Sequence, residues 1–265
     1  MKGILEMKNY QILIDKLVFF LQEKVKERGF SAVVYGLSGG IDSAVVALLC
    51  QKAWGNKAQA LLMPSITSSS NSLEDALTLC QKFGIAYQIL PLNTPQNAFG
   101  EILEGLQENP LRMGNACARM RMICLYDYAF ANHCLVIGTS NKSELTLGYG
   151  TIFGDMACAI NPIGDLYKTE IYEIAKLLGI PQNIIQKPPS ADLYEGQSDE
   201  EELGYCYEIL DKIMILLEQG SSSEEIIKQD LPKDALELVL KRKEQMAFKR
   251  KLPEIAILND LKDRF

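Results

Sequence analysis

The sequence reads Gly36-Leu37-Ser38-Gly39-Gly40-Ile41-Asp42-Ser43 between two apolar runs. The preceding run, residues 30–36, is apolar and rich in β-branched side chains, which predicts a buried strand. The following run, residues 44–50, is long enough to form the inner face of a helix. A strand therefore ends, two glycines let the backbone turn tightly, and a helix begins. The N–H groups at such a helix start carry partial positive charge and favour a phosphate.

Asp42 is unexpected in a loop that binds only anions, because its carboxylate repels phosphate. It is expected if a divalent cation lies between the carboxylate and the phosphate. Ser38 and Ser43 can add hydroxyl donors. The loop matches neither G-x-x-x-x-G-K-[ST] nor G-x-G-x-x-G. The alternative is a plain strand–helix turn capped by Ser or Asp, although a cap needs only one polar residue.

Composition indicates a globular protein and argues against general nucleic-acid binding. The chain has 265 residues, 48% hydrophobic and 23% charged, with a net charge of −7. No apolar run approaches the roughly 20 residues that span a bilayer. Charged residues interrupt every apolar segment at the N-terminus, so we do not expect a signal peptide.

The cysteines indicate a reduced, cytoplasmic protein. There are seven, none forms a C-x-x-C pair, and most have apolar neighbours. A zinc site is not expected, because His133 is the only histidine. We expect a structural or surface role for His133, which precedes a predicted strand.

Alternating strands and helices predict an α/β fold. Further strands are expected at residues 58–63, 86–90 and 134–139, with helices between them. This alternation predicts a doubly wound, mostly parallel sheet flanked by helices, followed by a mostly helical C-terminal part. We expect one domain over residues 1–265, with ligands at the carboxyl ends of the strands.

Candidate site residues follow the first and fourth strands. Glu144 lies after the fourth strand, and Asp155 lies in a glycine-rich stretch further on. Glu144 could give the cation of Asp42 a second carboxylate, which suits magnesium. Solvated loop acids are the alternative. Arg119 and Arg121 lie two apart on a predicted helix and project in different directions, so one could reach a ligand while the other is anchored structurally or both lie on the surface.

Later segments add a cation and two possible lids. Lys168 begins a helix, where its charge opposes the helix dipole unless an anion such as phosphate is near. Polar loops at residues 65–72 and 190–200 are expected to order when substrates bind. The acidic run at residues 199–202 is typical of a solvated helix start. Helices are expected at residues 203–219, 224–229 and 234–248.

Four stretches, in order along nearly the whole chain, resemble the ammonia-dependent NAD synthetase family, within the N-type ATP pyrophosphatases. They are Gly36-Leu-Ser-Gly-Gly-Ile-Asp-Ser43; Gly114-Asn115 with Ala118-Arg-Met-Arg-Met122; Gly138-Thr-Ser-Asn-Lys-Ser-Glu144 with Gly148-Tyr149 and Gly154-Asp155; and Lys187-Pro-Pro-Ser-Ala-Asp192 with Gln197 and Asp199-Glu200.

The resemblance implies a homodimer that converts nicotinic acid adenine dinucleotide (deamido-NAD), ATP and ammonia to NAD, AMP and pyrophosphate. It implies magnesium held by Asp42 and Glu144, and deamido-NAD contacts from Arg119 and Lys249. It implies that Asp155 lies near the ammonia site and accepts its proton, with Asp42 and Lys168 also catalytic. The implied ATP-binding residues are Gly36, Leu37, Ser38, Gly39, Gly40, Ile41, Asp42, Ser43, Thr139, Lys168 and Ser190.

Two positions depart from the family pattern. Ala159 stands where the family often has a second acid after Gly154-Asp155, and Phe248 stands where the family has histidine in a His-Lys-Arg pattern. Both changes concern dinucleotide binding rather than the ATP chemistry.

Three functions are open at this point. The first is the NAD-forming ligase, using free ammonia because only about 30 residues precede the ATP loop, too few for an ammonia-releasing domain. The second is an ATP pyrophosphatase that modifies tRNA or transfers sulfur, a class that favours a basic surface and catalytic cysteines. The third is a non-catalytic nucleotide-binding protein, which does not need both Asp42 and Glu144.

Overall fold

A parallel sheet forms the centre of the computed structural model, which describes residues 10–190 and 196–257. Its strands are β1 (Val33–Gly36), β2 (Ala58–Leu62), β3 (Ala86–Ile89) and β4 (Leu135–Ile137). They pair in the order β3-β2-β1-β4, and every pair is parallel. The predicted doubly wound α/β fold is therefore confirmed.

The helices cover both faces of this sheet. They are α1 (Tyr10–Glu27), α2 (Ile41–Trp54), α3 (Ser70–Phe83), α4 (Asn93–Ile102), α5 (Pro110–Ala131), α6 (Lys142–Leu147), α7 (Lys168–Leu177), α8 (Gln182–Ile185), α9 (Asp199–Leu203), α10 (Tyr207–Glu218), α11 (Ser223–Ile227) and α12 (Lys233–Gln245).

Alternate residues of β1 feed two separate cores. Val33 and Tyr35 pack with α1, α2 and α7 on one face. Val34 packs with Val136 and residues of α5 on the other. All three β1 side chains are fully buried, as expected for the central strand of a parallel sheet covered on both faces.

A third core lies in the C-terminal helices. Buried residues of α10 and α12 pack with Leu147 of α6 and with Tyr167, which precedes α7. This contact joins the helical C-terminal part to the two helices that follow β4. The part of the chain that the structure describes contains no helix long and apolar enough to cross a membrane.

Several predicted boundaries were wrong. The helix expected over residues 203–219 begins only at Tyr207 and ends at Glu218, because Gly204 takes a left-handed φ of 76° and ends the preceding helix α9 at Leu203. The first strand begins at Val33 rather than residue 30, and α3 begins within the expected loop 65–72, at Ser70. The last long helix, expected to reach residue 248, ends at Gln245.

His133 and the cysteines take structural positions. His133 is exposed and stacks on Phe30, with ring centroids 4.7 Å apart. All seven cysteines are free.

The turn between β1 and α2 requires a glycine. Gly39 has a φ of +83°, and a Cβ there would lie 2.1 Å from the carbonyl oxygen of Ser72. The backbone of the loop therefore passes against the start of α3, and no larger residue fits without moving one of them.

We expect Gly39→Ala to destabilise the protein more than Gly84→Ala. Both glycines have a positive φ, but a Cβ on Gly84 meets no atom within 4 Å. Gly84→Ala therefore tests the backbone strain alone, at about 1 kcal/mol, whereas Gly39→Ala adds a clash with backbone. Denaturant unfolding of the two variants measures the difference, and equal losses would contradict the close approach to Ser72.

Candidate active site

A cleft of about 560 Å³ lies at the carboxyl ends of β1, β2 and β4. This is where the topology of a doubly wound sheet is expected to bind ligands. Among the residues predicted from the sequence, the cleft is lined by Gly36, Leu37, Ser38, Gly40, Asp42, Ser43, Thr139, Glu144, Asp155, Ser190 and Lys249. Gly39 is buried in the loop, and Ile41, the first residue of α2, packs in the core.

Hydrogen bonds within the loop hold its shape. The Ser43 hydroxyl donates to the Gly40 carbonyl (2.9 Å) and accepts from the Ser38 amide (3.2 Å). The Ser38 hydroxyl lies 3.0 Å from that of Ser43 and accepts from the Gly40 amide (3.2 Å). Gly40 caps α2 without a side-chain hydrogen bond, so the start of the helix faces the cleft without a protein anion in the capping position.

Lys168 joins the two predicted metal-binding carboxylates. Its Nζ lies 2.5 Å from Asp42 Oδ2 and 3.3 Å from Glu144 Oε1. The Lys168 side chain is only 3% exposed, and its ammonium also lies 5.4 Å from the ring centroid of Tyr207. The sequence predicted an anion beside Lys168, and in this structure the anion is this pair of carboxylates.

Asn141 fixes the positions of both acids. Its side-chain amide donates to Asp42 Oδ1 (2.8 Å), while its Oδ1 accepts from the Glu144 amide (2.9 Å). Glu144 Oε2 accepts in return from the Asn141 amide (3.2 Å), which completes a capping box at the start of α6. Sequence reasoning missed Asn141, although an Asn followed three residues later by Glu is the sequence signal of such a box.

The charges of this cluster do not balance. Burial and the nearby Asp42 carboxylate raise the pKa of Glu144 to about 8, against the opposing effect of Lys168. Burial disfavours the charged form of Lys168, but Asp42 and Glu144 outweigh it and raise the Lys168 pKa. When both acids are ionised, one ammonium faces two carboxylates, and the raised pKa of Glu144 reflects this excess of negative charge. A further cation would relieve the excess and favour the ionised form of Glu144.

The donor set fits magnesium better than a metal held by protein alone. Residues 10–190 and 196–257 contain no group of three or more His, Cys, Asp or Glu side chains able to hold a metal ion. Two carboxylates at a phosphate-binding loop match the habit of Mg²⁺, which is usually held by one or two carboxylates together with phosphates and waters.

Asp155 lies in the same cleft and keeps access to solvent. Its Oδ1 accepts from the Thr151 amide (2.9 Å), and a Cβ on Gly150 would lie 2.9 Å from its Oδ2. Desolvation by the surrounding protein atoms raises the pKa of Asp155, although hydrogen bonds from Thr151 and the charge of Lys249 oppose the rise. A raised pKa suits a carboxylate that accepts a proton.

Lys249 reaches the cleft from beyond α12. Its ammonium donates to the carbonyls of Gly148 and Gly150, both at 2.8 Å. Burial lowers the pKa of Lys249, and the Asp155 carboxylate partly offsets this effect. The neighbouring Phe248 is exposed, with 57% of its surface accessible.

The two arginines of α5 separate as their spacing predicts. Arg119 is exposed outside the cleft and donates to the carbonyls of Asn115 (3.4 Å) and Ile152 (3.2 Å). Arg121 lines the cleft and donates to the Met63 carbonyl (3.1 Å) and the Ser68 hydroxyl (3.2 Å). Arg121 therefore anchors the loop after β2, and the predicted deamido-NAD contact of Arg119 stays a prediction.

Asp199 was wrongly expected to be solvated. It lines the cleft but is only 2% exposed, and its Oδ2 accepts from the Tyr207 hydroxyl (3.4 Å). It lies close enough to Glu144 to raise the pKa of that carboxyl. Helix α10 covers Asp199, and no pattern within the acidic run itself signals that contact.

The expected second lid meets the cleft at both ends. Ser190 lies at its edge, and Gln197 donates to the Tyr149 hydroxyl and to Glu202, both at 3.1 Å. Asp192, the last residue of the family-like stretch that begins at Lys187, lies outside the described residues.

Comparison with known proteins gives one consistent family. The family model described as NAD synthase matches residues 13–253. The chain is 53% identical to the NH(3)-dependent NAD(+) synthetase of Wolinella succinogenes over 249 residues, which covers 94% of this chain and 96% of that protein.

Two solved structures share the fold, with nearly equal TM-scores. The NH3-dependent NAD synthetase of Campylobacter jejuni superposes with a TM-score of 0.81 at 42% identity, covering 94% of this chain and 100% of that one. The NMN synthetase of Francisella tularensis superposes with a TM-score of 0.82 at 35% identity, covering 93% and 98%.

We expect Glu144→Gln to remove part of the pH dependence of stability. Because the pKa of Glu144 is about 8 in the folded protein and about 4.3 in an unfolded chain, the folded state binds more protons between these values. Protonated Glu144 therefore stabilises the folded state at low pH, and this stabilisation is lost as pH rises toward 8. Glutamine has no proton to lose and keeps the shape of the capping box.

Denaturant unfolding of both proteins across this pH range tests the expectation. The stability difference, variant minus wild type, should increase as pH rises. Parallel curves would show that Glu144 is already ionised throughout the range.

Proposed function

The chain belongs to the NAD synthase family, and on this basis we propose that its cleft amidates deamido-NAD with ammonia, using ATP and releasing AMP and pyrophosphate. This is the ligase reaction, forming a carbon–nitrogen bond, that completes NAD biosynthesis. The observation that carries the proposal is the buried cluster of Lys168, Asp42 and Glu144 beside the phosphate-binding loop. A protein that only binds nucleotide does not need to concentrate two carboxylates beside phosphates.

The first step activates the carboxylate of the nicotinate ring. Ammonia does not attack a free carboxylate, because it is negative and its leaving group would be oxide. One carboxylate oxygen therefore attacks the α-phosphorus of ATP, and the bond from this phosphorus to the β-phosphate oxygen breaks. The products are an acyl-adenylate and pyrophosphate.

Residues of the loop and Lys168 supply the binding for this step. Ser38, Gly40 and Ser43 line the cleft where the phosphates would lie. Asp42 and Glu144 would hold the magnesium, which would supply positive charge beside the departing pyrophosphate, an effect of several kcal/mol. Lys168 adds a second positive charge that its helix and its buried side chain keep in place.

The second step replaces AMP by nitrogen. Ammonia attacks the carbonyl carbon of the acyl-adenylate, the bond to the AMP oxygen breaks, and the nitrogen loses a proton. Asp155 accepts this proton, and its raised pKa brings its basicity closer to the task. Closure of the loops at residues 65–72 and 190–200 excludes water, which would otherwise hydrolyse the adenylate.

We further propose a homodimer formed through α5. Ile123, Tyr126 and Phe130 lie at helical spacing on one face of this helix and expose 56%, 41% and 93% of their surfaces. Arg119 is four residues before Ile123 and lies on the same face. An apolar face of this kind is typical of a subunit interface.

The free cysteines and acidic composition support a cytoplasmic location and small-molecule substrates rather than nucleic acid. The likeness to an NMN synthetase suggests one alternative substrate, nicotinic acid mononucleotide, which would be amidated by the same two steps.

We expect the purified chain to form NAD, AMP and pyrophosphate in equal amounts from ATP, Mg²⁺, ammonium and deamido-NAD. Nicotinic acid mononucleotide, supplied instead, should be amidated more slowly. Asp42→Asn should release no AMP, since it removes a magnesium ligand, while its circular dichroism stays unchanged.

The outcomes separate the competing functions. AMP release that requires RNA would select a tRNA-modifying enzyme, and tight ATP binding without turnover would select a nucleotide-binding protein. Faster amidation of the mononucleotide would reassign the substrate but not the chemistry.

We expect Asp155→Asn to stop the reaction after the first step. The variant should still release pyrophosphate from ATP and deamido-NAD, but NAD formation should fall by about 10²–10⁴-fold at neutral pH. The deficit should narrow at alkaline pH, where free ammonia is abundant and less depends on a base. Its melting temperature should not fall, because the side-chain oxygen of Asn can still accept the hydrogen bond from the Thr151 amide. A deficit that is the same at every pH would assign Asp155 to binding.

A further inference from the structure

A second buried carboxylate lies behind the cleft. Asp211 belongs to α10, is 1% exposed and is not among the residues that line the cleft. Its Oδ1 accepts from the Ser143 hydroxyl (2.5 Å), and its Oδ2 accepts from the Thr169 amide (2.9 Å). A single carboxylate therefore binds the first turns of two different helices, α6 and α7.

Ser143 extends this contact to Lys168. Its hydroxyl oxygen also accepts from the Lys168 amide (2.9 Å), so one oxygen joins α6, α7 and Asp211. Ser143 immediately precedes Glu144, and Thr169 immediately follows Lys168. Glu144 and Lys168, which form an ion pair at the cleft wall, are thus each adjacent in sequence to a residue held by Asp211.

The chemistry of this position is specific to a carboxylate. The first amides of a helix have no partner within the helix and attract negative charge. Lys168 places a positive charge at the start of α7, which opposes the helix dipole, and Asp211 offsets it from the other side. A buried carboxylate is costly unless its oxygens are hydrogen-bonded, and both oxygens of Asp211 are bonded here.

We propose that Asp211 is a positioning residue that sets the spacing of Glu144 and Lys168 for binding magnesium and ATP phosphates. The proposal rests on the proposed function only in taking Mg²⁺ and ATP as the ligands of the cleft. It assigns to the C-terminal helices a part in the ATP site, although Asp211 itself lies outside the cleft.

Three variants test this role by the affinity for ATP in the presence of Mg²⁺, measured by calorimetry well below the melting temperature. Asp211→Leu removes both bonds and should weaken binding by about tenfold or more. Ser143→Ala removes only the shared oxygen and should weaken binding by a smaller factor. The double variant should bind no more weakly than Asp211→Leu, because both substitutions break the same connection.

Met214→Ala is the matched control. Met214 is also buried on α10 and packs in the core of the C-terminal helices, but its side chain makes no hydrogen bond to α6 or α7. It should lower the melting temperature and leave the affinity for Mg²⁺ and ATP within about twofold of wild type. Asp211→Asn, which keeps an acceptor for the Thr169 amide, should lose less affinity than Asp211→Leu.

Two results would overturn the proposal. One is that Asp211→Leu and Met214→Ala lose ATP affinity in the same proportion to their loss of melting temperature, since Asp211 would then act only on stability. The other is unchanged affinity in Asp211→Leu. A wild type that binds Mg²⁺ and ATP but forms no NAD would refute the proposed reaction and leave the positioning role intact.

Discussion

The ammonium of Lys168, held between Asp42 and Glu144, is the interaction on which the site depends. It joins the loop after β1, the helix after β4 and the start of α7. A buried cation without carboxylates, or two buried carboxylates without a cation, would be strongly unfavourable in this environment. The three segments therefore keep their relative positions, and the loop after β1 opens into a cleft whose charged side chains are already in place.

The sequence was most informative where one short stretch carries its own signal. The strand, the glycine turn and the apolar helix around residues 33–54 follow from local chemistry, because the turn allows few residue types and burial on both faces leaves a continuous apolar run. A second rule placed the cleft residues Ser38, Asp42, Glu144 and Asp155. They follow the ends of strands, and strand ends in a parallel sheet converge on one edge.

Features that depend on how the C-terminal helices pack, or on weak local signals, were not predicted. Asp199 reads as one acid in a solvated run, and only its cover by α10 makes it a buried acid of the cleft. Helix α4 was missed because Pro95 and Gly100 interrupt a segment with few apolar residues. Asp211 reads as an ordinary charge within an apolar helix, since its partners are more than 40 residues away along the chain.

Lys249 has a consequence for the synthesis of the protein. The cleft uses Ser38 near one end of the sequence and Lys249 near the other, and the backbone of Gly148 closes tightly on Met246, where an added Cβ would lie 2.1 Å away. A ribosome therefore exposes the β1 loop long before the residues that complete the cleft. The lining of the cleft is complete only once the residues up to Lys249 have been synthesised.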